Sequence, residues 1–170
     1  IQQFFIYVNN VFHGNLGRSF NQYPRLVSDI LAQSLPWTIA IQLPSLIIGW
    51  IVGNILGAVA AYRKGIFDRI IFPLSLFFSS IPVFVLALLM KYYLGVYAHW
   101  FPMQGAYDAE LMPSATFTFY WSLFRHWQLP FLATCLVMIG GQAIGMRSMS
   151  LYELNADYVL YAKLLGIPEN

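Results

Sequence analysis

Three long stretches of the chain contain no Asp, Glu, Lys or Arg, and they constrain the fold more than any other feature. These stretches are residues 30–62, 70–90 and 126–146. A helix needs about 20 apolar residues to cross about 30 Å of hydrocarbon, and each stretch is long enough. We therefore predict an all-α, polytopic transmembrane protein with about three spans, at residues 34–62, 70–91 and 127–147.

The composition supports a lipid environment. Hydrophobic residues make up 59% of the chain and charged residues 9%, against about 25% charged residues in an ordinary soluble domain. A soluble fold of this length could not bury so much apolar surface, so lipid is the expected cover. The net charge of +2 is small, and the basic residues are scattered along the chain, so we expect no nucleic-acid partner. The one cysteine, Cys135, cannot form a disulfide within the chain.

The basic residues also predict an orientation. Arg63, Lys64 and Arg69 lie in a short loop between the first two spans, where the preference of Lys and Arg for the cytoplasmic side is strongest. We therefore expect this loop and residues 148–170 to be cytoplasmic, and residues 1–33 and 92–126 to be extracytoplasmic. The chain begins without Met and ends just after a helix stop signal, so we expect it to be one part of a longer transmembrane domain.

Glycines recur on two of the predicted spans. They are Gly49, Gly53 and Gly57 on the first span and Gly141 and Gly145 on the third. A small residue at every fourth position lets a second helix approach closely, which is how helices associate in lipid. We predict that these glycines pack helices together.

A few polar residues also fall within the predicted spans. Asn54 and Gln142 are amides, and Ser80 precedes a proline in the second span. These side chains line a solute path or bond a neighbouring helix, and the sequence leaves both possibilities open. Because Pro82 lacks a backbone donor, the sequence also predicts a kink beside Ser80.

The last part of the chain, residues 147–170, predicts a short helix outside the bilayer. Asp157 suits the positive N-terminal end of a helix, and Gly166 suits its end. Tyr158, Tyr161 and Ala162 then share one face. This face is more apolar than the face of an ordinary cytoplasmic helix, so we expect another protein surface to cover it.

No pattern in the chain predicts catalysis. There is no phosphate-binding loop, so we expect no nucleotide hydrolysis by this chain. The three histidines lack metal-ligand spacing, and no paired carboxylates lie within a span. We therefore assign no catalytic residue, no metal and no cofactor.

Six segments, taken in order, resemble one protein family. They are GNLGRSF (14–20), SLPWTIAIQLPSLIIGWIVGNILGAVAAYRKGIFDR (34–69), SIPVFVLALLM (80–90), WFPMQG (100–105), QLPFLATCLV (128–137) and MRSMSLYELNADYVLYAKLLGI (146–167). The family is the inner-membrane permease subunit of dipeptide/oligopeptide-type ABC importers. The resemblance implies a permease that forms, with a partner permease, the translocation path for peptides or similar small solutes in a bacterial or archaeal cytoplasmic membrane.

The resemblance also implies partners. Such permeases work with a second permease subunit, separate ATP-binding subunits and an extracytoplasmic solute-binding protein. The segment DYVLYAKLLG resembles the cytoplasmic loop that docks on the ATPase, often written E-A-A-x-x-x-G. Ala162 and Gly166 match this motif, whereas Leu160 and Tyr161 stand where it has Glu and Ala. The resemblance therefore implies that residues 157–166 dock on an ATPase, with Asp157, Tyr158, Tyr161, Ala162 and Gly166 as the docking residues.

The apolar stretches and glycine patterns alone fit a second possibility. A passive channel, or a structural membrane subunit without ATPase coupling, would have the same spans. It would have no need of an apolar cytoplasmic helix, so the last stretch of the chain distinguishes the two.

Overall fold

The computed structural model of the chain describes residues 1–63 and 65–166, except for the side chain of Lys163. Lys64 of the predicted charged loop and the last four residues of the predicted docking loop therefore lie outside the described residues. The chain divides into two compact units, Ile1–Ile41 and Gln42–Asn170.

Six α-helices, one of which continues as a π-helix, make up most of the described chain. They are α1 (Gln2–Phe12), α2 (Val27–Arg63), α3 (Ile66–Ser80), α4 (Val83–Met90, followed by the π-helix Lys91–Tyr97), α5 (Phe117–Leu154) and α6 (Asp157–Leu164). Among residues 1–63 and 65–166 there is no strand, only an isolated bridge between Arg18 and Leu26. The prediction of an all-α protein is confirmed for this part of the chain.

The first unit contains α1 and the start of α2. Between these helices a tight loop is closed by two backbone hydrogen bonds, from Ser19 N to the Arg25 carbonyl (2.9 Å) and from Val27 N to the Gly17 carbonyl (3.1 Å). The second bond leads directly into α2. No residue of α1 is buried, although Phe4, Phe5 and Phe12 are large and apolar.

The core of the second unit lies along α5. The later part of α2 packs against α5 through glycines, and α3 and α4 also contact α5. Most of the buried side chains are small, with Ala60, Ala133 and Ala143 at most 2% exposed, and Leu86 and Leu129 are the larger ones among the described residues. Ser45 of α2 donates a hydrogen bond to the carbonyl of Phe131 of α5 (3.3 Å). Small side chains allow this close helix packing, as lipid-embedded helices require.

The second predicted span is broken where the sequence indicates a kink. The axes of Ile66–Ser80 and Val83–Tyr97 differ by 100°. Pro82 forces the preceding residue out of the helical region, and Ile81 is extended, with φ −88° and ψ 125°. The hydroxyl of Ser80 donates to the Leu76 carbonyl (2.7 Å), which satisfies an acceptor at the broken end.

The connection between the second and third predicted spans is partly helical. Of residues 92–126, which are predicted to be extracytoplasmic, those up to Tyr97 continue the π-helix and those from Phe117 onward belong to α5. The aromatic residues at the start of α5 have a spacing that favours a helix. Phe117, Trp121, Phe124 and Trp127 recur every third or fourth residue, so they contact in series on one helix face, with ring centroids 5.8–6.4 Å apart.

The predicted spans lie within helices that extend beyond them. The helix α2 begins before residue 34, and α5 continues to Leu154, past the predicted end at residue 147. Within the described residues, two helices, Val27–Arg63 and Phe117–Leu154, are long and apolar enough to cross a membrane, and the bent pair would make three if it forms one span. The membrane borders within these helices stay predictions.

Candidate functional site

Three helices meet at Arg147 of α5. Its guanidinium donates two hydrogen bonds to Asp68 in the first turn of α3, from Nε to Oδ1 (2.6 Å) and from Nη2 to Oδ2 (2.7 Å). The guanidinium carbon also lies 4.4 Å from the ring centroid of Phe72, one turn along α3. On the other side, a Cβ at Gly57 of α2 would lie 2.9 Å from the Arg147 amide nitrogen. Arg147 therefore ties α3 to α5 beside the end of α2.

The amino-acid sequence does not predict that Asp68 pairs with Arg147. The two residues are 79 positions apart, and both side chains are about one-fifth exposed. A weak signal exists, because each charge flanks an apolar stretch on the side predicted to be cytoplasmic. That signal places both residues near one membrane border but does not select them as partners.

An elbow joins α5 to α6. Asn155 ends α5 and donates from Nδ2 to the Leu151 carbonyl (2.8 Å). Across the elbow, the Tyr158 hydroxyl donates to the Glu153 carboxylate. This hydrogen bond to a carboxylate raises the pKa of Tyr158 above its usual range. Because the bond joins α6 to α5, it restrains the angle between the two helices.

The helix α6 presents an uncovered apolar face. Tyr158, Tyr161 and Leu165 are 61%, 67% and 78% exposed, and Ala162 is partly buried on the same side. A groove of about 980 Å³ opens beside the elbow, between Tyr152, Asp157 and Tyr161. Gly166 follows the helix with φ +73°, which suits glycine and ends the helix. The five predicted docking residues lie on α6 and the two residues after it, and their role in docking stays a prediction.

The predicted packing glycines fall into two groups. Gly49, Gly53 and Gly57 of α2 face α5 so closely that an added Cβ at any of them would collide with α5. Gly141 and Gly145 of α5 have no described atom outside their own helix within 4 Å of an added Cβ. Instead, Gly140 makes the close contact on α5, where an added Cβ would lie 2.7 Å from the Ser75 carbonyl oxygen of α3.

The three predicted pathway residues do not form one lining. Asn54 donates to the Trp50 carbonyl within α2 (2.7 Å), and Ser80 is exposed at the break after α3. Gln142 lies on α5 where α5 meets Gly53 of α2, and it is partly exposed. A role of these residues in lining a path stays a prediction.

A polar cluster fastens the connection before α5. Ser122 is 2% exposed, accepts a hydrogen bond from the Asp108 amide (2.8 Å) and donates one to the Asp108 carboxylate (2.7 Å). His126 Nδ1 donates to the Ser122 carbonyl (2.8 Å), and its Nε2 lies 3.9 Å from Asp108 Oδ1. Although this cluster contains Ser, His and Asp, Ser122 is bonded to Asp108 rather than to the imidazole, so it is not arranged as a nucleophile and base. In the described ranges no three His, Cys, Asp or Glu side chains are grouped to hold a metal ion.

Comparisons with known proteins identify the family. A family profile described as binding-protein-dependent transport system inner membrane component matches residues 53–170. The dipeptide transport system permease protein of Lactococcus lactis subsp. cremoris is 32% identical over 169 residues, which cover 99% of this chain and 51% of the relative. A protein of Brucella abortus, provisionally named a peptide transport system permease protein, is 36% identical over 161 residues, which cover 94% of this chain and 49% of the relative.

The chain spans about half the length of these curated relatives. The family match covers α6, most of the α5 contacts and the α3–α4 break, so it includes the Asp68–Arg147 pair and the elbow. The resemblance that the sequence motifs indicate is confirmed at this level. This chain belongs to the family of binding-protein-dependent transport system inner membrane components.

Proposed function

We propose that this chain is part of the membrane-spanning permease subunit of an ATP-driven importer. With a partner permease it would form the translocation path for peptides or similar small solutes. The family description and the names of the relatives support this proposal. The proposed location is the cytoplasmic membrane of a bacterium or archaeon, where the chain crosses the bilayer several times.

The observation that carries the proposal is the uncovered apolar face of α6. Tyr161 on α6 and Leu165 directly after it are more than three-fifths exposed, and a restrained elbow joins α6 to a membrane-capable helix. A helix eight residues long is too short to be stable alone, so a covering surface would stabilise it. We assign this surface to a separate ATP-binding subunit, on which ATP would be hydrolysed. The permease itself would be a transport subunit and not an enzyme.

Transport would follow from the way in which the helices are joined. Closure of the ATP-binding subunits would move α6, and the elbow would pass this movement to α5. Because α5 packs against α2, α3 and α4, a tilt of α5 would shift the spans together. An extracytoplasmic solute-binding protein would deliver the solute to the opposite end, so the permease needs no covalent chemistry.

The test replaces Ala162 with Arg in the complete importer reconstituted in proteoliposomes. Burying an unpaired charge at the proposed contact costs several kcal/mol, so solute import and co-purification of the ATP-binding subunit should each fall at least about tenfold. Met112→Arg is the matched control, because Met112 is 85% exposed on the connection before α5.

Two results would count against the proposal. Unchanged import and unchanged co-purification in Ala162→Arg would remove α6 from the docking contact. Solute flux through the unmodified protein without ATP would favour a passive channel instead.

A further inference from the structure

We propose that the ion pair of Asp68 and Arg147 is the joint through which a movement of α6 reaches α3. Both would then be positioning residues for transport, acting through the helices that they connect. This inference rests on the proposed function of α6 as the docking helix. It adds a specific mechanical connection between that helix and the broken second span.

The geometry of the pair suits a joint that transmits force. Two parallel hydrogen bonds, 2.6 and 2.7 Å long, hold the guanidinium of Arg147 in the plane of the Asp68 carboxylate. A bidentate arrangement fixes orientation as well as distance, which a single bond cannot do. Phe72 lies under the guanidinium at 4.4 Å and restrains it from a third direction.

The segment of α5 beyond Arg147 has the form of a lever. The helix continues without interruption to Leu154, seven residues further, or about 10 Å at 1.5 Å per residue. Met149 and Tyr152 on this segment are 67% and 78% exposed, whereas Leu151 and Leu154 are partly buried. A groove of about 420 Å³ lies between this segment and Tyr62 of α2, so the close contacts of α5 with α2 and α3 at Arg147 resist a displacement of its far end.

The far end of the lever is fixed to α6. The hydrogen bond from Tyr158 to Glu153 crosses the elbow, and the Leu165 amide donates to the Tyr161 carbonyl at the end of α6 (3.0 Å). A push on α6 is therefore passed to α5 rather than absorbed by the turn at Asn155. Hydrogen bonds and the α5 backbone thus connect α6 to Asp68, through Glu153 and Arg147.

The receiving helix α3 packs along α5, and two of the contacts bear on the proposed joint. Near its start Asp68 binds Arg147, and near its end Ser75 and Ser79 lie against Gly140, with an added Cβ at Gly140 only 2.7 and 3.0 Å from their backbone atoms. The second contact is close packing of backbone, which leaves α3 little room to shift at that position. A pull at Asp68 would therefore tilt α3 about Gly140 and move the break that follows Ser80.

A purely stabilising pair would behave differently. Removing one partner of this pair lowers stability, because both side chains are about four-fifths buried and the remaining charge loses its partner. Such a loss reduces the amount of assembled complex but not the solute imported per ATP by the complex that remains. A joint would lose coupling well beyond any loss of folded protein. Energetic coupling between sites is established by paired substitutions and not by proximity alone.

The experiment uses Asp68→Asn, Arg147→Gln, Arg147→Lys and the exchanged pair Asp68→Arg with Arg147→Asp. Each is placed in the complete importer in proteoliposomes, and solute imported per ATP hydrolysed is measured together with the amount of co-purified ATP-binding subunit. Arg69→Gln is the control, since Arg69 is an exposed neighbour of Asp68. All variants are compared at equal amounts of assembled complex.

We expect solute imported per ATP to fall at least tenfold in Asp68→Asn and Arg147→Gln, and to fall less in Arg147→Lys, which keeps the charge. The exchanged pair should recover at least half of the loss, and Arg69→Gln should match the unmodified protein. An unchanged ratio in the single variants, or a loss that the exchanged pair does not reverse, would overturn the inference.

The two proposals can fail separately. If the unmodified protein retains no ATP-binding subunit, the proposed function fails. If the unmodified importer couples transport to ATP and the single variants couple equally well, only the joint is refuted.

Discussion

The contact between α2 and α5 at Gly53 allows a quantitative prediction. A Cβ at this position would lie 2.6 Å from the Gln142 Cβ and 2.8 Å from the Ile139 carbonyl oxygen, whereas ordinary contact begins near 3.4 Å. Gly53→Ala therefore requires a separation of about 0.8 Å from the Gln142 Cβ and about 0.6 Å from the Ile139 carbonyl oxygen, a backbone atom that cannot rotate away. Overpacking of this kind costs about 1–3 kcal/mol.

Gly141→Ala is the matched control. It makes the same substitution in a helix, but no described atom outside α5 lies within 4 Å of the new methyl group. Both variants gain the same helix propensity, about 1 kcal/mol relative to glycine. The difference between them therefore isolates the packing cost at Gly53.

The assay uses Cys135, which is 6% exposed and whose carbonyl faces Gly49 of α2. The thiol is buried among the packed helices, so in the purified full-length protein in mild detergent a maleimide labels it when this packing opens, and mass spectrometry follows the labelled peptide. A cost of 1–3 kcal/mol corresponds to about fivefold to hundredfold faster labelling of Gly53→Ala than of Gly141→Ala. Equal labelling rates in the two variants would refute the packing argument.

Three further predictions concern other parts of the structure. Pro82→Ala restores a backbone donor, so the bend between α3 and α4 should fall below 100°. Pulsed electron paramagnetic resonance between nitroxides on the two helices should then show a longer distance. An unchanged distance would show that Pro82 does not cause the bend. Ser122→Ala removes both hydrogen bonds to Asp108 at a cost of about 1–3 kcal/mol, so amide hydrogen exchange of Asp108 should accelerate about tenfold. Unchanged exchange would contradict the role of Ser122 in fastening the connection before α5. Glu153→Gln should lower the pKa of Tyr158 toward its ordinary value, as read by carbon-13 NMR of that tyrosine. Because the raised pKa keeps the hydroxyl proton in place, the elbow bond should persist from neutral pH through the ordinary tyrosine pKa and be lost only above it; an unaltered titration in Glu153→Gln would exclude that bond.

The sequence predicts the fold well where the signal is continuous. Uncharged stretches of twenty or more residues leave few alternatives to helices, and the all-α prediction is confirmed. The break in the second span is also foreseeable, because Pro82 constrains the residue before it as well as its own nitrogen. The start of α5 at Phe117 is not foreseeable in the same way, because Arg125 interrupts the uncharged stretch while the aromatic residues before it form a helical face.

The candidate site is only partly predictable. The proposed docking segment can be recognised from residues that are neighbours in the sequence, because they give an apolar face and end the helix at Gly166. The joint at Arg147 depends on a partner 79 residues away, and no local pattern selects that partner. For the same reason the sequence indicates glycines suited to packing but cannot separate Gly53, which meets α5, from Gly141, whose described surroundings are open.

Cross-linking between α6 and the ATP-binding subunit tests the central claim most directly. A cysteine is placed at Leu165, which directly follows α6 and is 78% exposed, and in a separate variant at Met112, which is 85% exposed on the connection before α5. Each complete importer is treated with a short bifunctional reagent, and cross-linked products are identified by mass spectrometry. We predict a product joining Leu165→Cys to the ATP-binding subunit and none from Met112→Cys. No product from Leu165→Cys in an importer that transports normally would contradict the assignment of α6 as the docking helix.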